Sequence, residues 1–85
     1  MHEMSLAMEV ARLVEEQMTR HPGRLLRVGV LVGDDAGVEP DNFQFCLEAV
    51  FQTPPFTGAQ TELTRVPGDV LRLDYLEVDD GRPDD

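Results

Sequence analysis

The sequence predicts an α+β domain, two helices packed on one face of a three-stranded mixed sheet in the order α-β-α-β-β. Three observations carry that prediction. Two stretches place apolar residues at helical spacing, three stretches show the alternation of a strand, and Pro- or Gly-bearing breaks separate most of them. The first two strands are joined through a helix, which makes them parallel or distant. The second and third are joined by a short turn, which reads as a hairpin.

The first helix is expected from Ser5, as N-cap, to about Arg20. Leu6, Val10, Leu13, Val14 and Met18 form its apolar stripe, while Glu9, Arg12, Glu16 and Arg20 alternate in sign and read as a solvated face. His21-Pro22-Gly23 ends it. Leu25 to Gly33 (LLRVGVLVG) is the best strand, with Leu26, Val28, Val30 and Val32 on one face and Arg27, Gly29 and Leu31 on the other. One apolar face and one mixed face place the helices on one side only.

After the loop Asp34-Asp35-Ala36-Gly37, the second helix begins near Pro40 with Glu39 at or near its cap. Phe43, Cys46, Leu47, Val50 and Phe51 form its stripe, and Thr53-Pro54-Pro55 stops it. Cys46 therefore reads as a packed small hydrophobe. Ala59 to Val66 is a weaker strand, with Ala59, Thr61 and Leu63 sharing a face, and Pro67-Gly68-Asp69 a compact turn. In the last strand, Val70 to Val78, the apolar phase shifts from Leu71 and Leu73 to Leu76 and Val78; a bulge near Asp74-Tyr75 reconciles the two. Residues 1–78 form one domain, and residues 79–85 (DDGRPDD) read as an acidic, disordered tail.

Composition narrows the function. At 85 residues the chain makes one small domain with a thin core. Its single cysteine allows neither an internal disulfide nor a cysteine-based zinc site, so no structural zinc is expected. A formal charge of −10, no lysine and scattered arginines argue against nucleic acid and suit a basic partner. No apolar run approaches the roughly 20 residues of a membrane helix. The acid-bearing start does not read as an export signal, so the expected compartment is the cytoplasm and Met1 the expected terminus, retained because His2 is bulky. There is no Gly-rich phosphate loop and no nucleophile-base constellation, so no enzyme is expected.

Chemistry concentrates at Met1-His2-Glu3. The Met1 amine, the His2 amide nitrogen and the His2 imidazole can close fused chelate rings, a nitrogen-rich tetragonal set that selects Ni(II) or Cu(II). Glu3 and Glu39 can add oxygen ligands or offset the ion's charge, and binding should weaken in acid as amine and imidazole take up protons. On the residues alone the tripeptide is also an ordinary frayed terminus, and Glu39 a helix-start residue. Chain geometry favours a meeting. A helix of about 16 residues spans roughly 24 Å and a strand of about nine roughly 30 Å, so the start of the first helix returns to the end of the first strand, beside Glu39. His21 falls at the opposite end of the helix and reads as a solvated turn residue.

The opening MHEMSLAMEVARLVEEQ, then RVGVLVGDDAGVEPDNFQFCLEAV, GAQTEL and GDVLRLDYLEV together resemble the HypA/HybF family of hydrogenase nickel-incorporation proteins, up to about Val78. The resemblance implies a nickel metallochaperone for nickel-iron hydrogenase maturation, with nickel(II) bound transiently at Met1, His2 and Glu3 and with Glu39 implicated. It implies as partners the maturation GTPase and the hydrogenase large-subunit precursor, and leaves a homodimer open. A metal-independent assembly module is the other reading. One departure is large. The family carries a zinc-binding domain with two CxxC motifs between its last two strands, whereas here Val66-Pro67-Gly68-Asp69 runs directly from one strand to the next.

Overall fold

Strand β1 (Arg24–Gly33) is the axis of the fold, and every other element is placed by it. The computed structural model describes residues 2–81 and gives helix α1 (Glu3–Arg20), β1, helix α2 (Pro40–Phe51), strand β2 (Gln60–Val66) and strand β3 (Leu71–Asp79). This is the expected α-β-α-β-β order. Met1 and residues 82–85, most of the expected tail, lie outside the described residues. Asp79, assigned to that tail, is instead the last residue of β3 and pairs with Arg24.

The sheet order is β2-β1-β3, with β1 parallel to β2 and antiparallel to β3. The expected hairpin between β2 and β3 is therefore not formed. The physical reason lies in β1: it is the most apolar of the three strands and carries the buried Leu25, Val28, Val30 and Val32, so the central place, where both edges are covered, falls to it. The α2 crossover sets β2 parallel on one side, and β3 fills the other.

Two irregularities tune the pairing. Gly29 pairs with Tyr75 but Val30 with Leu73, which leaves Asp74 as the extra residue of a bulge. The phase shift in β3 is thereby absorbed: Leu71, Leu73, Leu76 and Val78 all pack against the core. The second irregularity corrects the reading of β1. Leu25 pairs with Val78 and Arg27 with Glu77, so Leu26 is the extra residue there. Leu25, not Leu26, joins Val28 and Val30 in the buried cluster.

Phe43, Leu47 and Phe51 of α2, Ala7 and Val14 of α1, and Val28 of β1 are fully buried and form the centre of that cluster. Cys46 is buried among them, as its place in the stripe requires. Phe56, in the loop after α2, closes the cluster by packing on Phe51 with ring centroids 4.6 Å apart.

The opposite face of the sheet carries a polar strap. The Tyr75 ring of β3 lies across Gly29 of β1, where a methyl group would fall 2.0 Å from its Cε1. Its hydroxyl donates to Glu62 Oε1 of β2 at 2.8 Å, so one side chain spans all three strands. Arg27 sits 3.8 Å from Glu62 and 3.5 Å from Glu77. The bond to Glu62, with partial burial and the negative charge beside it, holds the Tyr75 hydroxyl above its ordinary 10.0. Tyr75 is the only tyrosine and the chain has no tryptophan, so tyrosinate absorbance reports this group alone. Its alkaline titration should have a midpoint above 10.0 that Glu62→Ala lowers. An unchanged midpoint in that variant would refute the strap.

Candidate metal centre

Helix α1 starts at Glu3, two residues before the expected Ser5 cap; His2 is the N-cap, with φ −101° and ψ 9° and no side-chain cap bond. Its carbonyl accepts the Leu6 N–H at 2.9 Å. The early start follows from the buried stripe, because Glu3, Ala7, Val10 and Val14 recur at helical spacing and all four are buried. Glu3 is 5% exposed, and His2 beside it is exposed. The amide nitrogen of an N-cap residue is not needed by the hydrogen-bond ladder of its helix, so that of His2 suits metal chelation.

Helix α2 begins as expected. Glu39 is its N-cap, Pro40 takes the first helical position, and Glu39 Oε2 accepts the Asn42 N–H at 2.5 Å. In a capping box the third helical residue reaches back to the N-cap N–H. Here that residue is Asn42, and the reciprocal acceptor comes from the other helix. Glu3 Oε2 accepts the Glu39 N–H at 3.2 Å, and Glu3 Oε1 accepts the Asn42 Nδ2 at 3.1 Å. One capping box is thus divided between α1 and α2.

The electrostatics follow from this clasp. Two helix N-termini direct their positive ends to the same place, a poor setting for a bare cation and a good one for a carboxylate. The Glu39 N–H, then the Glu3 N–H and the Asn42 amide hold the Glu3 carboxyl below its ordinary 4.5, against the opposing cost of desolvation.

The structure brings Glu3 and Glu39 together, with His2 adjacent in the chain; Met1 lies outside the described residues. Among the described residues no three His, Cys, Asp or Glu side chains stand close enough to hold a metal ion, so an ion here would draw on backbone nitrogen at the terminus. His21 caps the far end of α1, away from the clasp. Two features escaped the sequence reading. The burial of Glu3 was visible as a continuation of the stripe four residues ahead of Ala7. Asn42 was visible only as the residue three beyond a capping Glu39.

The fold and the clasp define a small α+β domain whose first helix is tied through Glu3 to the start of the second. The chain belongs to the HypA family, described as hydrogenase/urease nickel incorporation metallochaperones, whose model matches residues 1–71. Among relatives, the hydrogenase maturation factor HypA of Paracoccus denitrificans is 36% identical over 84 residues, covering 94% of this chain and 74% of the relative. That of Dechloromonas aromatica is 42% identical over 69 residues, covering 80% and 61%. The same coverage holds for Albidiferax ferrireducens at 38% identity. The chain thus spans between 61% and 74% of the length of these relatives. No helix among the described residues is long and apolar enough to cross a membrane.

Proposed function

We propose that this protein is a cytoplasmic nickel metallochaperone for nickel-iron hydrogenase maturation, a carrier and not an enzyme. It binds Ni(II) transiently through Met1, His2 and Glu3, with Glu39 beside them, and passes it to a partner. The observation that carries this reading is the clasp. Glu3 is bonded to the start of α2, which holds the first turn of α1 beside Glu39. The Met1 amine, the His2 amide nitrogen and the imidazole supply the tetragonal donors, and the two carboxylates offset the charge of the ion. His2 is exposed, which suits a site that must release its cargo. The same donors hold Cu(II) at least as tightly by the order of metal affinities, so metal supply decides the cargo. The partners proposed are the maturation GTPase and the large-subunit precursor.

Calorimetry with Ni(II) on protein bearing its native, untagged terminus tests the reading. His2→Ala, or residues added ahead of Met1, should weaken binding by more than the roughly 10–100-fold that outer partners of a metal site contribute. Unchanged affinity would sink the proposal. A second reading, a metal-independent assembly module, is favoured by Phe45 and Met8, large apolar side chains that are 66% and 61% exposed. It requires that His2→Ala leave hydrogenase maturation in cells intact while Phe45→Asp abolishes it.

A further inference from the structure

We infer that Asn42 is a positioning residue for the nickel site, an inference that rests on the reading of Met1-His2-Glu3 and Glu39 as that site. Asn42 bonds to both carboxylates. Its backbone N–H donates to Glu39 Oε2 at 2.5 Å, and its side-chain amide donates to Glu3 Oε1 at 3.1 Å. The two acids are 36 positions apart in the chain, yet one residue orients both.

The residue type fits the task. A carboxylate oxygen has more than one lone pair, so an oxygen that accepts from Asn42 keeps capacity for an ion or its water. The amide is a neutral donor. Lysine or arginine here would also donate, but its charge would compete with the metal for the same carboxylates. Aspartate would keep the shape, remove the donor and place a third negative charge against Glu3. The position fits as well. As the third residue of α2, Asn42 is anchored by Phe43 immediately after it, which is fully buried. Its amide therefore reaches Glu3 from a fixed base, and the carboxylate is oriented before an ion arrives. Hydrogen bonds of this kind to ligating groups are worth roughly 10–100-fold in metal affinity.

The test is titration with Ni(II) alone, using untagged wild type, His2→Ala, Glu3→Gln, Asn42→Ala and the Glu3→Gln/Asn42→Ala double variant. Thermal melts of the metal-free proteins accompany it, together with X-ray absorption of the nickel-loaded ones. Asn42→Ala should lower affinity roughly 10–100-fold and reduce the oxygen contribution around nickel while the nitrogen donors remain. The double variant should bind no more weakly than Glu3→Gln, because the side chain acts through that carboxylate. Wild-type affinity and an unchanged nickel spectrum in Asn42→Ala, with only a lowered Tm, would reduce Asn42 to a structural cap and overturn the inference. So would full additivity of the two losses. Unchanged binding in His2→Ala fails separately: it removes the nickel reading beneath. If Asn42→Ala does not fold, Asn42→Leu, a neutral side chain of similar shape that lacks the donor and retains the backbone N–H, carries the same expectations.

Discussion

Gly33→Ala should cost this protein about 3 kcal/mol or more in a urea titration, combining overpacking with the loss of a hydrogen bond. Gly33 ends β1, and the connection from β2 to β3 arches over it. A methyl at position 33 would fall 2.0 Å from the Gly68 carbonyl oxygen and 2.6 Å from the Val70 nitrogen. Both are backbone atoms, which cannot rotate aside. The arch would have to lift, and its bonds would go with it: Gly33 N–H to the Val70 carbonyl at 2.5 Å, Asp34 N–H to Val66 at 2.8 Å and Asp35 N–H to Gly68 at 2.9 Å. Gly29→Ala provides the contrast. The obstruction there is the Tyr75 ring, a side chain that can swing out, so its loss should be smaller. Equal midpoints for Gly33→Ala and wild type would refute the close approach.

This arch also explains how the chain closes where the family resemblance implies an inserted zinc-binding module. The β2 and β3 strands flank β1, so their ends lie about 9–10 Å apart. Residues 67–70, when extended, reach roughly 13 Å, enough to cross. Arg65 fastens one side, its Nε and NH2 groups donating to Asp34 Oδ1 at 3.1 and 2.9 Å. The connection is stitched to the sheet by backbone bonds from Gly33, Asp34 and Asp35.

The same joint shows what the sequence could and could not disclose. A short link between two strands suggests a hairpin, because local proximity is all that a link encodes. The sheet order was set by competition among strands for the central place, and LLRVGVLVG is the most apolar of the three strand segments. The Asp74 bulge was legible because Leu71, Leu73, Leu76 and Val78 change parity around it. The Leu26 bulge was not, since Leu25 and Leu26 are adjacent leucines and either satisfies the pattern. At the candidate site, lengths alone brought the chain opening to Glu39. The division of one capping box between two helices was hidden, because capping patterns are read within a segment and Glu3 acts across 36 positions.

That division makes Glu3→Gln the polar substitution expected to harm the metal-free fold most, and its signature is a changed acid limb. Glutamine offers one acceptor where Glu3 offers two, so either the Glu39 N–H or the Asn42 amide would meet another donor. Glu9→Gln is the control. Its partner Arg12 lies 2.6 Å away, but both side chains are more than half exposed, and such pairs contribute little. Glu3→Gln should therefore lower Tm well beyond Glu9→Gln. The pH dependence follows from the depressed Glu3 carboxyl. Its stabilisation is present above the ordinary 4.5 and is lost as pH falls through the lower folded value, because the unfolded chain takes up the proton first. Protonating the other acids relieves the self-repulsion of a chain with net charge −10, an opposing trend shared by both proteins. It cancels in the difference between their Tm curves. That difference should be largest near neutrality and shrink in acid below 4.5. A difference that stays constant across this range would show that the carboxylate charge does not hold the two helices together.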